Sequence, residues 1–248
     1  MTKRVFTDEE RIRRVWDVIE IKNVMARHAY YHSYNQHDTE LDEIWVREPE
    51  HRKTASFGQS WGYQVGMDLI RRNYAEQNIS DHQEDLDAMI SKYPDIENKP
   101  ENLGLGQMLM HELTSPYIEI AADGQTAQGL WYSPGQMAIA HPEGVDAIWM
   151  FERYGVDFVK EDGQWKIWHL FVGTDFGFPA GADFTKEPIQ EGPPAAFAPM
   201  TYEFEAYTSR YNYSLYPAIP HPYETFTDPQ VVSNGPEGNP HFQKEAVK

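Results

Sequence analysis

The densest grouping of chemistry-bearing side chains lies between residues 30 and 38: Tyr30, Tyr31, His32, Tyr34, Asn35, His37 and Asp38. Phenols and imidazoles can move protons near neutral pH. Tyr30 and Tyr34 stand one helical turn apart and share a face. Facing a cavity, their hydroxyls would donate protons or hold a substrate oxygen; facing a core, the rings are filler. His111, in Met110-His111-Glu112-Leu113-Thr114, and His169, beside Trp168, sit in strand-like sequence. Each reads as an acid–base group or as a packed imidazole with one partner. Glu152 and Arg153 put charges inside the apolar run Met150-Phe151-Glu152-Arg153-Tyr154. Alternation sends one of them inward, where a charge needs a partner. His28 and His32 have the spacing of a two-histidine metal pair, but Ala29 stands where an acidic neighbour belongs, so no metal is expected. The sequence has no Gly-rich phosphate loop, no Gly-x-Ser-x-Gly elbow and no His-Glu-x-x-His.

Helices come first in the chain. Thr7-Asp8-Glu9-Glu10 reads as a capping box, followed by an apolar face of Ile12, Val15, Trp16 and Ile19. That helix runs to about 35–38, with a break expected near Lys22-Asn23. A second helix is expected over 66–77, with Leu69, Ile70 and Tyr74 inward. A third, over 80–93, opens at Ser80 and stops at Pro94. The grammar then changes to aromatic and β-branched strands over 108–120, 126–140, 147–160 and 164–172, with Asp123-Gly124 and Asp162-Gly163 as hairpin turns. The last strand is apolar on both faces. One face then packs on helices and the other is also covered, by another subunit on this reading. The expected class is α+β: one domain over 1–178 and a C-terminal arm over 179–248. The arm holds 11 of the 17 prolines and 6 of the 15 tyrosines but few aliphatics, so it cannot build a core alone and is expected to lie extended over the domain or over a neighbouring protomer.

With 39 acidic against 21 basic residues and a net charge of −18, the chain lacks the cationic clusters that nucleic-acid or anionic-membrane binding needs. It has no cysteine, which removes thiol nucleophiles and thiolate metal sites. No apolar run approaches a membrane span, and 1–10 lacks a signal-peptide stretch, so a cytoplasmic protein is expected.

Three stretches resemble the nuclear transport factor 2-like superfamily in its SnoaL-like branch, which includes scytalone dehydratase and bile-acid dehydratase. They are Arg27-His28-Ala29-Tyr30 through Asp38 to Trp45; Gly66-Met67-Asp68-Leu69-Ile70-Arg71; and His111-Glu112-Leu113-Thr114-Ser115-Pro116 through Asp123-Gly124-Gln125-Thr126-Ala127 to Gly163-Gln164-Trp165-Lys166-Ile167. The resemblance implies a curved antiparallel sheet wrapped against helices as a cone with one deep pocket, and chemistry without a cofactor. Tyr30 and Tyr34 match the family's tyrosines near the end of the first helix, and His111 matches the strand histidine of scytalone dehydratase. Asn35 falls where those enzymes carry an aspartate, and an amide cannot act as a base. The second strand histidine is replaced near Trp131.

A related branch resembles the chain in its length: cofactor-independent lyases that release formaldehyde from lignin-derived diaryl compounds. An aromatic pocket for such a substrate would draw on Trp61, Tyr63, Trp131, Tyr132, Trp149 and Phe151. The implied machinery is His111 as base or acid, Tyr30 and Tyr34 as donors, Asn35 as orienting group, and Arg153 or His169 holding an oxyanion. Three alternatives stay open. One is a dehydratase of a polyketide- or steroid-like substrate. Another is a non-catalytic binding or adaptor protein of the same fold. The last is an isomerase using Asp38, Asp157 or Asp175. The covered sheet and the aromatic arm point to a homodimer or homotrimer.

Overall fold

In the computed structural model, residues 5–60, 62–183, 202–203 and 216–240 are described. Helix α1 (Asp8–Ser33) starts at the expected capping box: Thr7 accepts from the Glu10 amide at 3.2 Å and Glu10 reaches back to the Thr7 amide at 2.7 Å. It runs through Lys22-Asn23 without a break. Its inward face differs from the expected one. Asp17, Ile21, Met25 and His28 are buried, whereas Ile12, Val15, Trp16 and Ile19 stand on the opposite side and are exposed, Ile12 by 71%. Polar partners choose the face. Asp17 receives Lys160 Nζ at 2.7 Å and Trp165 Nε1 at 2.8 Å, and those bonds turn the helix about its axis.

Short helices α2 (His37–Glu43) and α3 (Pro49–Thr54) lead to a tight hairpin, β1 (Ser56–Gln59) and β2 (Gly62–Val65), too short to show as alternation in the sequence. Next come α4 (Met67–Arg71), a π-helical turn (Arg72–Gln77) and α5 (Asn78–Lys92) in direct succession. The expected boundary at Ser80 therefore falls inside a helix. The long strands follow: β3 (Gln107–His111), β4 (Thr114–Ile120), β5 (Thr126–His141), β6 (Gly144–Glu161) and β7 (Gln164–Pro179). The single expected strand over 108–120 is interrupted between β3 and β4, which line the same edge of β5. At the β6–β7 turn, Asp162 and Gly163 both have positive φ, the geometry that a two-residue hairpin requires.

The sheet order is β3-β5-β6-β7-β1-β2-β8, with β8 being Tyr202–Glu203 and β4 beside β5. It is α+β as expected, but mixed, because β1 joins β7 in parallel. Helices and sheet share one core that includes Ile21, Met25, Trp45, Ile70, Phe158 and Leu170. Among the described residues no helix is long and apolar enough to cross a membrane.

The far face of the sheet is covered in part by the chain itself. Residues 216–240 lie across it, with Tyr216 packed against Tyr63 and Phe171. At Gly155 a Cβ would come within 2.2 Å of Asn234 Oδ1 and 2.5 Å of Pro217, so the segment seats only on a bare backbone. Its anchor is Asp157, with no exposed surface. One carboxylate oxygen accepts from Gln128 Nε2 and Asn234 Nδ2, both at 2.7 Å. The other accepts from the Asn234 amide at 2.7 Å, His169 Nδ1 at 2.8 Å and Ser233 Oγ at 3.0 Å. This cover comes from the chain's own arm, one of the two placements expected for it, whereas the sheet pattern alone points to another subunit. Residues 184–201, 204–215 and 241–248 of the arm lie outside the described residues.

Asp157→Ala strands all of these donors. It should cost about 3–5 kcal/mol of stability, as expected for breaking a buried, charge-assisted network, read as a lower urea midpoint. It should also open 216–240 to limited proteolysis.

Candidate active site

Between the helices and the near face of the sheet lies a cavity of about 210 Å³. Strand alternation decides what reaches it. On β6 the even positions Met150, Glu152 and Tyr154 line it, and the odd positions Trp149, Phe151 and Arg153 belong to the other face. His111 enters from β3, Val172 and Thr174 from β7, and Phe57, Gln59 and Gln64 from the β1–β2 hairpin. From the helical side come His28 and His32 of α1, then Asn73, Tyr74 and Gln77 of the π-helical turn, with Asn78 and Asp81 beyond it. A π turn is wider than an α turn, and here Asn73, Gln77 and Asp81, at four-residue steps, all reach the cavity.

Two hydrogen-bonded systems face each other across this space. On the sheet side, His111 Nδ1 lies 2.9 Å from Glu152 Oε2; Glu152 is buried and His111 is partly buried. Donation of Nδ1–H to the carboxylate leaves the Nε2 lone pair as the acceptor. On the helical side, Glu40 has no exposed surface. It accepts from His28 Nδ1 at 2.7 Å, Trp45 Nε1 at 3.1 Å and the Tyr74 hydroxyl at 3.0 Å. The Tyr74 oxygen is in turn 3.0 Å from His32 Nδ1. Because the Tyr74 proton goes to Glu40, His32 donates its own Nδ1–H to Tyr74 and keeps Nε2 as an acceptor. The His32 and His111 ring centroids are 4.8 Å apart, and those of His111 and Tyr154 are 6.5 Å apart.

Burial holds His32 far below the usual imidazole range, and the neighbouring His111, His37 and His28 push the same way. His37, whose ring packs edge-on against His32 and Tyr74, is lowered to about 4, mainly by burial. The Tyr154 phenol is pushed well above its ordinary value, by burial first and then by the charges of Glu152 and Glu40. Tyr74 is raised by burial and by Glu40. Both phenols therefore stay protonated and can donate. Among the described residues no three His, Asp or Glu side chains are arranged to hold a metal ion.

The structure places the sequence-derived candidates as follows. His111 lies in the cavity. Tyr30 and Tyr34 stack on each other at 6.0 Å and are 63% and 65% exposed, because the inward face of α1 runs through His28 and His32 instead. Asn35 follows the helix with φ of 55° and packs against Gly104. His169 is on the far face, bonded to Asp157, and Arg153 forms a two-point ion pair with Asp175. Neither reaches the cavity. Trp131 is buried in the core over Gly129, edge-on to Phe158. Tyr132 and Trp149 are exposed, Phe151 stacks on Phe178, and Tyr63 is buried under Tyr216. Trp61 lies outside the described residues. Of the isomerase candidates, Asp38 pairs with Arg71, Asp157 anchors the far face and Asp175 holds Arg153. His32, a member of the acid–base cluster in the sequence, His28, weighed there only as half of a metal pair, and Glu152, read only as one of two charges, are the residues brought together with His111. Glu40, Asn73 and Tyr154 carried no signal in the sequence.

The profile of the SnoaL-like domain matches residues 13–170. The chain belongs to the SnoaL-like family. The solved structures it is similar to are of low identity. A candidate scytalone dehydratase from Novosphingobium aromaticivorans is 12% identical over 69% of this chain and 92% of its own, with a TM-score of 0.46. A hexachlorocyclohexane dehydrochlorinase from Novosphingobium barchaimii is 16% identical over 73% and 97%, with a TM-score of 0.45. A protein from Kribbella flavida is 10% identical over 66% and 95%, with a TM-score of 0.48. A search of curated proteins gives no match.

The buried histidines fix an acid sensitivity. In the fold His32 and His37 stay neutral, whereas in the unfolded chain they take up protons near pH 6.5. Unfolding then binds protons, so their contribution is complete above about pH 6.5 and is lost as pH falls below it, for His37 down to about pH 4. The expected slope is up to about 1.4 kcal/mol per pH unit for each histidine. His37→Gln should make it shallower, checked by urea midpoints across that window.

Proposed function

We propose that this SnoaL-like chain is a cofactor-independent lyase that eliminates water from a hydroxylated substrate by imidazole–phenol acid–base catalysis. The observation that carries the reading is the His111–Glu152 pair facing a protonated Tyr154 phenol across a cavity. In this reaction His111 Nε2 takes a proton from carbon. The released electron pair forms the new C=C bond as the neighbouring C–O bond breaks. Tyr154 protonates the departing oxygen, which leaves as water. Glu152 stabilises the imidazolium as it forms, and return of that proton to Tyr154 closes the cycle. The phenolic donor therefore comes from β6, where the sequence assigns it to Tyr30 and Tyr34.

A cavity bordered by three imidazoles and two phenols supports an enzyme over an adaptor, whose equivalent space would be filled by side chains. Formaldehyde release from a lignin-derived diaryl compound is a second form of the chemistry. Phe57, Tyr74 and Tyr154 would supply its aromatic walls.

The test is incubation of purified protein, without added cofactor or metal, with hydroxylated cyclic and diaryl compounds, scoring water loss and formaldehyde separately. For whichever compound turns over, His111→Ala and Tyr154→Phe should each lower turnover by about 10²-fold or more, and Glu152→Gln should follow His111→Ala. Tyr30→Phe and Tyr34→Phe should leave it unchanged. Full turnover in His111→Ala removes the assignment.

A further inference from the structure

Asn73 is 6% exposed, and neither atom of its carboxamide has a hydrogen-bond partner among the described residues, although the residue borders the cavity. Gln59 Oε1, from the opposite hairpin, is also buried without a partner. Two more carboxamides on the same wall each commit one N–H internally. Gln77 Nε2 donates to Asp81 at 2.8 Å, and Asn78 Nδ2 donates to the Tyr74 carbonyl at 2.6 Å. Their carbonyl oxygens are left as acceptors, beside the acceptor nitrogens of His32 and His111. A buried carboxamide without a partner is a costly arrangement that a ligand can relieve.

The charge of the wall restricts the ligand further. Among the described residues no Lys or Arg borders the cavity, whereas Glu152 and Asp81 do. A carboxylate or phosphate on the substrate would therefore meet like charge with no cation to offset it. An apolar biaryl would leave the carboxamides unpaired. A group that donates and accepts without net charge, namely a hydroxyl, satisfies Asn73 on both its atoms and the surplus acceptors around it.

We propose that this site binds a neutral, hydroxyl-rich small molecule, carbohydrate- or cyclitol-like, with Asn73 as the residue that holds a pair of its hydroxyls. The proposal rests on the elimination reading for the reaction but not for binding, and the two can fail separately.

The test is calorimetric or ligand-observed NMR titration of the full chain with myo-inositol, D-glucose, D-glucuronate, D-glucosamine and 4,4′-dihydroxybiphenyl. Saturable binding of a neutral polyol is expected. It should be at least tenfold weaker for glucuronate and in Asn73→Leu. Gln77→Ala, at a partly exposed helical position, serves as the second variant if Asn73→Leu loses its circular dichroism signature, and it should also weaken binding. Tighter binding of glucuronate, glucosamine or the biphenyl, or no binding of either neutral polyol, overturns the proposal. Polyol binding with no product in the elimination assay leaves this proposal standing and overturns the reaction.

Discussion

Glu40 is a carboxylate without contact with water, and the helical wall of the cavity is arranged around it. A buried charge of this kind is tolerated only when donors surround it, and His28, Trp45 and Tyr74 supply them from three different segments. The consequence reaches past the carboxylate. Tyr74 commits its proton to Glu40, so His32 must donate to Tyr74, and the lone pair of His32 is turned towards the cavity. One fixed charge on a seven-residue helix thus sets the tautomer of an imidazole two bonds away.

The opposite face of the sheet is organised by the same physics for a different purpose. Asp157 is as buried as Glu40, and five donors converge on it. Ser233, His169 and Asp157 superficially resemble a nucleophilic triad, but their bonding is that of a clasp. Ser233 Oγ donates to Asp157 and lies 3.4 Å from His169 Nδ1, the nitrogen already turned to the carboxylate. A serine activated by histidine would stand at the other nitrogen. The network closes residues 216–240 over part of the sheet, which explains why β7 is apolar on both sides.

Much of this was legible in the sequence, for identifiable reasons. The capping box at Thr7, the Asp162-Gly163 turn and the long alternating strands are local signals, and local signals fix elements. Faces are less legible. On β6 the aromatic and charged residues Trp149, Phe151 and Arg153 alternate with Met150, Glu152 and Tyr154, so composition alone gives no phase, and a one-residue choice exchanges the whole site. On α1 the conspicuous apolar stripe points outward, because the inward face is chosen by partners of Asp17 and His28 that lie far along the chain. At Trp168 a bulge in β7 breaks the alternation and stacks its ring on that of His169 at 4.3 Å. The π-helical turn that presents Asn73 and Tyr74 together has no sequence signature.

The two imidazoles that face each other in the cavity are chemically the same group, and their partners divide the work between them. His111 rests on a carboxylate, so a proton gained at Nε2 creates an ion pair already in place. His32 rests on a phenol oxygen, is buried, and has further imidazoles close by, so a proton gained there would be unsupported. The same reaction step is therefore favourable at one ring and costly at the other, 4.8 Å away. In the proposed elimination His111 is the ring suited to taking a proton from carbon, and His32 is suited to accepting a hydrogen bond without titrating. Exchanging their partners, carboxylate for phenol, would exchange their roles. The division of labour thus resides in Glu152 and Tyr74 rather than in the histidines.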